Sequence, residues 1–350
     1  MVNINFGSGR HGDKVVSTDE TLTNQYYLEY NNLTVEAGAT LTLPSDAVVF
    51  VKEQAIIDGT LKIPDGAGIP GGSGGNGEEA GGSGSPAGGT LNILAKSLKG
   101  SGVIEANSTT AGSGSESNNS SNNNNSDTNG NSGGVGAGYS IGSSSLSADT
   151  PPQPGNGGNA NSGGNAGHSG ISVLQDGNLP AYIEDLVVAG TTVSGIPQHR
   201  IRMPSGAGGG GAGRDDHNKT GGGGGGGGGG SITGSSYGGD GQNRNYGSGN
   251  NGNKGGGGGG GGGAGGFISL ASEDLESNIT VKAAGGDGGD GTFGSGANGA
   301  GGAGGSGGLV VAIADTTPEV VLPGGTGGDG YQSGTNGPEG FLVQYGIGDI

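Results

Sequence analysis

Cysteine and tryptophan are absent from this 350-residue chain, and only five phenylalanines are present. The first absence excludes a disulfide framework. With 28% of residues apolar, a single conventional hydrophobic core is excluded as well. Basic residues are scarce: 13 Lys and Arg stand against 31 Asp and Glu, a net charge of −18. No Lys/Arg stripe exists to displace counterions from nucleic acid or to hold an anionic membrane. Such acidity suits solubility and, in the extreme, a saline environment. No apolar stretch reaches membrane-spanning length. The opening MVNINFGSGRHGDKVV has neither a charged start followed by an apolar run nor a twin-arginine signal. The expectation is synthesis in the cytoplasm, with any outward passage taking another route.

What the chain has in excess is glycine, 95 residues against an average near ~7%. Glycine-rich, aromatic-poor chains are often disordered, because they cannot offset their chain entropy. The pattern argues otherwise. Residues 33–63 alternate apolar and polar with short Gly or Pro-Ser-Asp breaks, through Leu33, Val35, Leu41, Leu43, Val49, Val51, Ile57, Leu61 and Ile63. Period-two alternation reads as strands, either β-solenoid rungs or a small β-sandwich. Beyond Asp65, glycine tracts alternate with apolar strings. TLNILAKSLKGSGVIEAN (90–107) aligns without a gap on FISLASEDLESNITVKAA (267–284), matching Leu91 to Ile268, Ile93 to Leu270, Leu98 to Leu275 and Ile104 to Val281. Segments beginning at Gly170, Gly308 and Gly340 are looser copies. The body is an internal repeat of glycine tract, strand, turn, strand and glycine tract.

A glycine chain can adopt the extended threefold helix that rises ~3.1 Å per residue without internal hydrogen bonds. Its N–H and C=O groups then need partners on neighbouring chains. Fixing ten glycines costs on the order of 10–20 kcal/mol, and each hydrogen bond returns a net ~0.5–1.5 kcal/mol. Only a close-packed bundle can stand. The runs 221–230 and 255–263 would span about 31 and 28 Å. They are expected to lie antiparallel, joined by a turn over 231–254. In GGSGGNG (71–77), GGDGGDG (285–291), GGAGGSGG (301–308) and GGTGGDG (324–330), the interrupting residues would share one outward face. The composition, with 13 prolines, excludes collagen.

These tracts resemble those of the glycine-rich adhesins at the distal tips of the long tail fibres of T-even-like bacteriophages. The resemblance spans roughly residues 66–345 and rests on GGGGGGGGGG, GGDGGDG and their relatives. It implies a small β-rich attachment domain, then a layered polyglycine-II sandwich whose loops touch the receptor. The apolar repeats here are longer and more regular than the resemblance requires. The expected fold is therefore mainly β and irregular: a small N-terminal β-domain over 1–65, then a layered bundle of polyglycine-II helices over 66–350, capped by short β-strands. Exposed loops are expected at 107–156, 196–220 and 231–254.

No catalytic constellation appears, so no enzyme is expected. The four histidines are scattered, and Asp215, Asp216 and His217 read as a polar turn rather than as metal ligands. GGSGG (71–75) matches a nucleophile-elbow pattern through composition alone. GGDGGDGTF and GGTGGDGYQ match the calcium-binding nonapeptide, which makes Asp287, Asp290 and Asp329 weak calcium candidates. That roll needs consecutive repeats, absent here, and no cofactor is expected. Loops on rigid scaffolds carry recognition. The 231–254 segment holds Tyr237, Asp240, Asn243, Arg244, Tyr246 and Asn250, the composition of an adaptable binding surface and equally of a solvated hairpin tip. His199, Arg200 and Arg202 form a local basic patch that could read an anionic sugar or pair with carboxylates. The resulting expectation is a virion tail-fibre or surface adhesin that binds a host-cell surface protein or glycan. It would join another fibre or tail protein through its N-terminal domain, without nucleic acid or membrane insertion. The rival readings are a structural virion decoration or spike, and a cellular surface adhesin.

Overall fold

The computed structural model describes residues 4–76, 80–114, 132–136, 140–141, 164–167, 201–212, 223–231, 236–243, 256–276, 278–293 and 297–348. The chain first climbs through short paired strands: β1 (Lys14–Val16), β2 (Glu20–Thr21), β3 (Tyr27–Val35), β4 (Thr40–Thr42), β5 (Ala47–Ile57), β6 (Thr60–Lys62), β7 (Thr90–Lys99) and β8 (Val103–Glu105). A separate two-stranded antiparallel ladder joins β9 (Ser140–Ile141) and β10 (Ile201–Arg202). The climb resumes with β11 (Phe267–Ala271), β12 (Asp274–Leu275), β13 (Thr280–Lys282), β14 (Leu309–Ile313), β15 (Glu319–Val321) and β16 (Phe341–Tyr345).

Successive strands alternate between two parallel sheets. One runs β1-β3-β5-β7-β11-β14-β16, with β12 also beside β7; the other runs β15-β13-β8-β6-β4-β2. Each rung is thus one strand in each sheet, and of the two readings of residues 33–63 the stacked rungs are what forms. The gapless repeat becomes register: Leu91 faces Ile268, Ile93 faces Leu270, Leu98 faces Leu275 and Ile104 faces Val281. Alternation places Leu33, Val35, Leu41, Val49, Ile57, Leu61, Leu91, Ile93, Ile104, Ile268, Val281 and Val310 between the sheets, all 0–1% exposed. Each such aliphatic side chain contributes about 1.5–3 kcal/mol of burial. The opposite face of the larger sheet is also buried, through Val48, Phe50, Leu94, Phe267, Leu309 and Val311, with Ile4 and Met203 packed on them. A buried hydrogen bond from Ser269 Oγ to Asn92 Oδ1, 2.7 Å, ties β11 to β7 on this face. Tight turns link the sheets. Gly100 takes φ +119°, and a Cβ on Gly59 would collide with the carbonyls of Ala39 and Glu36 one rung below.

This arrangement corrects the expected fold class. The chain does not form a small β-domain followed by a bundle of polyglycine-II helices with strands as end caps. None of the described residues is helical, and the two parallel sheets run from Lys14 to Tyr345, with β5 pairing β7 across residue 65. The apolar strings pair with one another in parallel, so their backbone groups are satisfied in ladders. The strands organise the molecule rather than close its ends.

The glycine tracts leave this stack and rejoin it; after Ala106 the chain departs and re-enters at Phe267, one rung further on. Among the described residues the tracts bond to one another at every third residue. In tract 256–265, the N–H groups of Gly258, Gly261 and Ala264 donate to Gly210, Ala207 and Pro204 (2.8–2.9 Å). Those of Gly259, Gly262 and Gly265 donate to Ala300, Ala303 and Ser306. Its carbonyls accept in the same rhythm: Gly256, Gly259 and Gly262 from Gly224, Gly227 and Gly230, and Gly258, Gly261 and Ala264 from Gly82, Ser85 and Gly88. The runs 223–230 and 256–263 are therefore parallel, not antiparallel as expected. The reason is an intervening tract, 236–243, that reverses the chain between them: Gly226 N–H donates to Gly239 and Gly223 N–H to Gln242. Third positions are exposed in tracts at the surface, as at Ser73, Asn76, Thr326 and Asp329. In 301–308 they are Ala303 and Ser306, both 0% exposed, because this tract lies inside.

Surface charge fastens several rungs. Side-chain amides of Asn31 (3.0 Å) and Asn32 (2.9 Å) donate to Asp13 and hold its carboxyl below the usual range. The Ser8 hydroxyl does the same for Glu29. Lys99 Nζ lies 3.0 Å from Asp274, depressing that carboxyl and raising the lysine.

Two outcomes are expected. Gly261→Ala would drive its Cβ into the Gly228 carbonyl. It should destabilise by about 1–3 kcal/mol in chemical denaturation, whereas Asn76→Ala at an exposed third position should stay within about 0.5 kcal/mol. In thermal melts across pH, the depressed carboxyls Asp13, Glu29 and Asp274 contribute fully above their unfolded pKa values of about 4. Their contribution disappears as pH falls through the lower folded values, so the melting temperature should decline below about pH 4. The raised Lys99 contributes below about pH 10.4 and is lost as pH rises beyond its folded value, giving an alkaline decline that Asp274→Asn removes.

Candidate receptor-binding face

Tract 236–243, SYGGDGQN, alternates between burial and exposure with a period of three. Ser236, Gly238, Gly239 and Gly241 are buried, while Tyr237, Asp240 and Asn243 are exposed. Half of the six residues expected to bind in this segment therefore stand in one row on one outward face, with Tyr237 42% exposed. They are not on a loop. Their backbone is bonded on both flanks and beneath.

On one flank, Gly238 and Gly241 N–H groups donate to Gly167 and Gly164, and Ala166 N–H donates to Asp240 Oδ1 at 2.6 Å. On the other flank lies the 332–335 segment. Tyr237 N–H donates to Thr335 Oγ1 (2.8 Å), Thr335 N–H returns a bond to the Tyr237 carbonyl (2.9 Å), and Asp240 N–H donates to Gln332 Oε1 (3.0 Å). Underneath, Gly239 N–H reaches the Gly301 carbonyl, and the Ser236 hydroxyl donates to the carbonyl of Gly304. The row ends in a reciprocal clasp: Gln242 N–H donates to the Asn298 carbonyl (3.0 Å), and Asn298 N–H donates to Gln242 Oε1 (2.9 Å).

Two aromatic residues not singled out in the sequence cluster around that clasp. Phe293, 66% exposed, forms an antiparallel bridge with Asn298. Tyr331, 50% exposed, donates its N–H to the Gly299 carbonyl. A signal was available: GGDGTF and GGDGYQ each end a tract in an aromatic residue just past the aspartate. Tyr237, Tyr331 and Phe293 are thus exposed on tracts that bond to one another, with Asp240, Asp329 and Asp290 two or three residues from them in the same tracts.

The aspartates raised as calcium candidates serve as acceptors for neighbouring backbone. Asp287 Oδ1 accepts both the N–H (2.7 Å) and the hydroxyl (2.9 Å) of Thr326, and Asp290 Oδ1 accepts Asp329 N–H (2.8 Å). The Asp329 carbonyl takes the Gly291 N–H. Among the described residues no group of three or more His, Cys, Asp or Glu is placed to hold a metal ion. Of the basic patch, Arg202 lies in β10 beside β9. His199 and Arg200 fall outside the described residues, as do Arg244, Tyr246, Asn250 and Asp215 to His217. In the segment 196–220, expected as an exposed loop, residues 203–212 are buried, Met203 at 1% and Ala207 at 0%.

Comparison with protein-family models, with curated proteins and with solved structures finds no match.

Because Asp287 caps a backbone donor, Asp287→Ala should cost about 0.5–1.5 kcal/mol of stability. Asp287→Asn should recover most of that loss. In denaturant titrations both effects should be the same with calcium and with a chelator.

Proposed function

We propose that this protein is a surface adhesin of the tail-fibre kind its sequence resembles, binding a host-cell surface protein or glycan and acting by contact without covalent chemistry. The observation that carries the reading is the row Tyr237, Asp240 and Asn243, exposed on a backbone held from both flanks and from below. Aromatic groups on a pre-ordered backbone bind at low entropic cost. The row rests mainly on backbone bonds such as Gly239 N–H to Gly301, with the Asp240 carboxylate also holding Ala166 N–H. Several copies on one particle would add avidity to weak contacts. The receptor such a row favours is neutral or basic, since the charged group it carries is Asp240 and the neighbouring tracts add Asp290 and Asp329. In this reading the first rungs join the protein to another fibre or tail component.

A spike that extends or stabilises a particle is the second reading. It is favoured by the open end of the stack, where β16 is an edge strand with Phe341 39% exposed beside Val321 38% exposed on β15. Such an edge can accept a further strand.

Cell-binding measurements on host and non-host cells separate the two. Tyr237→Ala and Asp240→Asn, the latter keeping an acceptor for Ala166 N–H, should each weaken host-selective binding at least about tenfold, the scale of interface hot spots, with unchanged melting temperature. Host binding that survives both substitutions would sink this face as the receptor site. A folded protein that binds neither cell type would instead favour the spike.

A further inference from the structure

A concave site lies where the first glycine tract leaves the sheet stack. The approach to β3, the turn before β5, the outgoing chain at 67–70 and the returning chain at 88–90 enclose a cleft of about 440 Å³. This is within the roughly 300–1,000 Å³ of small-molecule sites. Backbone bonds hold its walls. Gly68 N–H donates to Ala87 and Ala87 N–H to Ile69, clamping the outgoing chain to the returning one. Asp46 N–H donates to the Thr90 carbonyl (2.8 Å), and Thr90 N–H donates to Ser45 Oγ (3.2 Å). Val48 N–H donates to the Tyr26 carbonyl (2.7 Å), which fixes the tyrosine backbone at the rim. Two glycines let these walls pack closely: a Cβ on Gly89 would run into Ser45 Oγ, and one on Gly68 into the Gly88 carbonyl.

The lining combines two kinds of surface. Tyr26, 41% exposed, with Ile69 and Pro70, supplies apolar area, while Ser45, Asp46 and Thr90 supply polar groups. Asp46 sits at φ 69°, and no other described non-glycine residue has a positive φ. Aspartate tolerates this region, but glycine occupies it at lower cost. Among the described residues no lysine, arginine or histidine lines the cleft, and the chain carries a net charge of −18. A phosphate, sulfate or uronic acid therefore meets no counter-charge. A neutral sugar offers what the lining lacks: a C–H face to lie against an aromatic ring and hydroxyl donors for a carboxylate.

We infer that the cleft bounded by Tyr26, Asp46 and Thr90 binds a neutral saccharide, independently of the Tyr237 face. The test uses the full chain with glucose, galactose and N-acetylglucosamine as probes and glucuronate as the anionic control, read by saturation-transfer NMR and titration. At least one neutral sugar should bind. Tyr26→Ala, which truncates a half-exposed side chain, should weaken that binding at least tenfold. Asp46→Gly, which removes the carboxylate at a positive φ that glycine adopts readily, should do the same. Tyr237→Ala should leave sugar binding unaffected, so failure here and failure of the proposed receptor face are separate results. The inference is overturned if no neutral sugar binds, if either cleft variant binds as well as the parent, or if glucuronate binds as tightly as the neutral sugars.

Discussion

The structure depends on one repeated interaction, the hydrogen bond between the backbone N–H of one glycine tract and the carbonyl of another. Tract 256–265 donates to tracts 204–212 and 297–308 and to Gly112, and accepts from 223–230, 82–88 and 286–292. Tracts can approach this closely only where no Cβ intervenes; at Gly209, Gly227, Gly261 and Gly302 the space a Cβ would take holds a neighbour's carbonyl. Ordering each glycine costs about 1–2 kcal/mol, more than one hydrogen bond returns net. The tracts therefore stand only collectively, bonded on several sides at once and tied to sheets whose aliphatic core contributes independently.

The sheets also set the tracts' register. The pairing of β7 with β11 continues outward from the ladder: Phe267 N–H bonds to Gly89, Gly88 N–H to Ala264 and Ser85 N–H to Gly261. Strands 177 residues apart in sequence lie side by side, and the tracts attached to them inherit that alignment. The apolar rungs and the glycine layers are one construction, in which side-chain burial fixes the frame and backbone bonding extends it.

The acidic composition has a structural use within this frame. At the outer tracts, carboxylates and side-chain amides accept backbone N–H groups from the next tract, as Asp287 does for Thr326, Asp290 for Asp329 and Asn107 for Ala284. Asp19 and Asp58 do the same for Thr40 and Ser101 at the rungs. A short side chain at every third position can thus finish the edge of a layer or face outward, and Asp240 does both. The row proposed for recognition stands on a backbone already held in place.

Much of this was legible in the sequence, for a physical reason in each case. Period-two alternation over residues 33–63 marks rungs because only one face of each strand meets the other sheet. The gapless match of 90–107 to 267–284 names the strand pairs in advance because stacked rungs must keep their side chains in line. Small residues in 301–308 and polar ones in 324–330 distinguish an interior tract from a surface one. The threefold spacing that exposes Tyr237, Asp240 and Asn243 in one row is present in YGGDGQN. What the sequence alone determined is the local periodicity and the side chains displayed by it. Only the tertiary structure decided that the strands organise the molecule, that the two longest glycine runs are parallel, and that Phe293 pairs with Asn298 and Tyr331 with Gly299. Those outcomes rest on which distant backbone groups pair, and one glycine carbonyl is chemically the same as the next until the fold selects its partner.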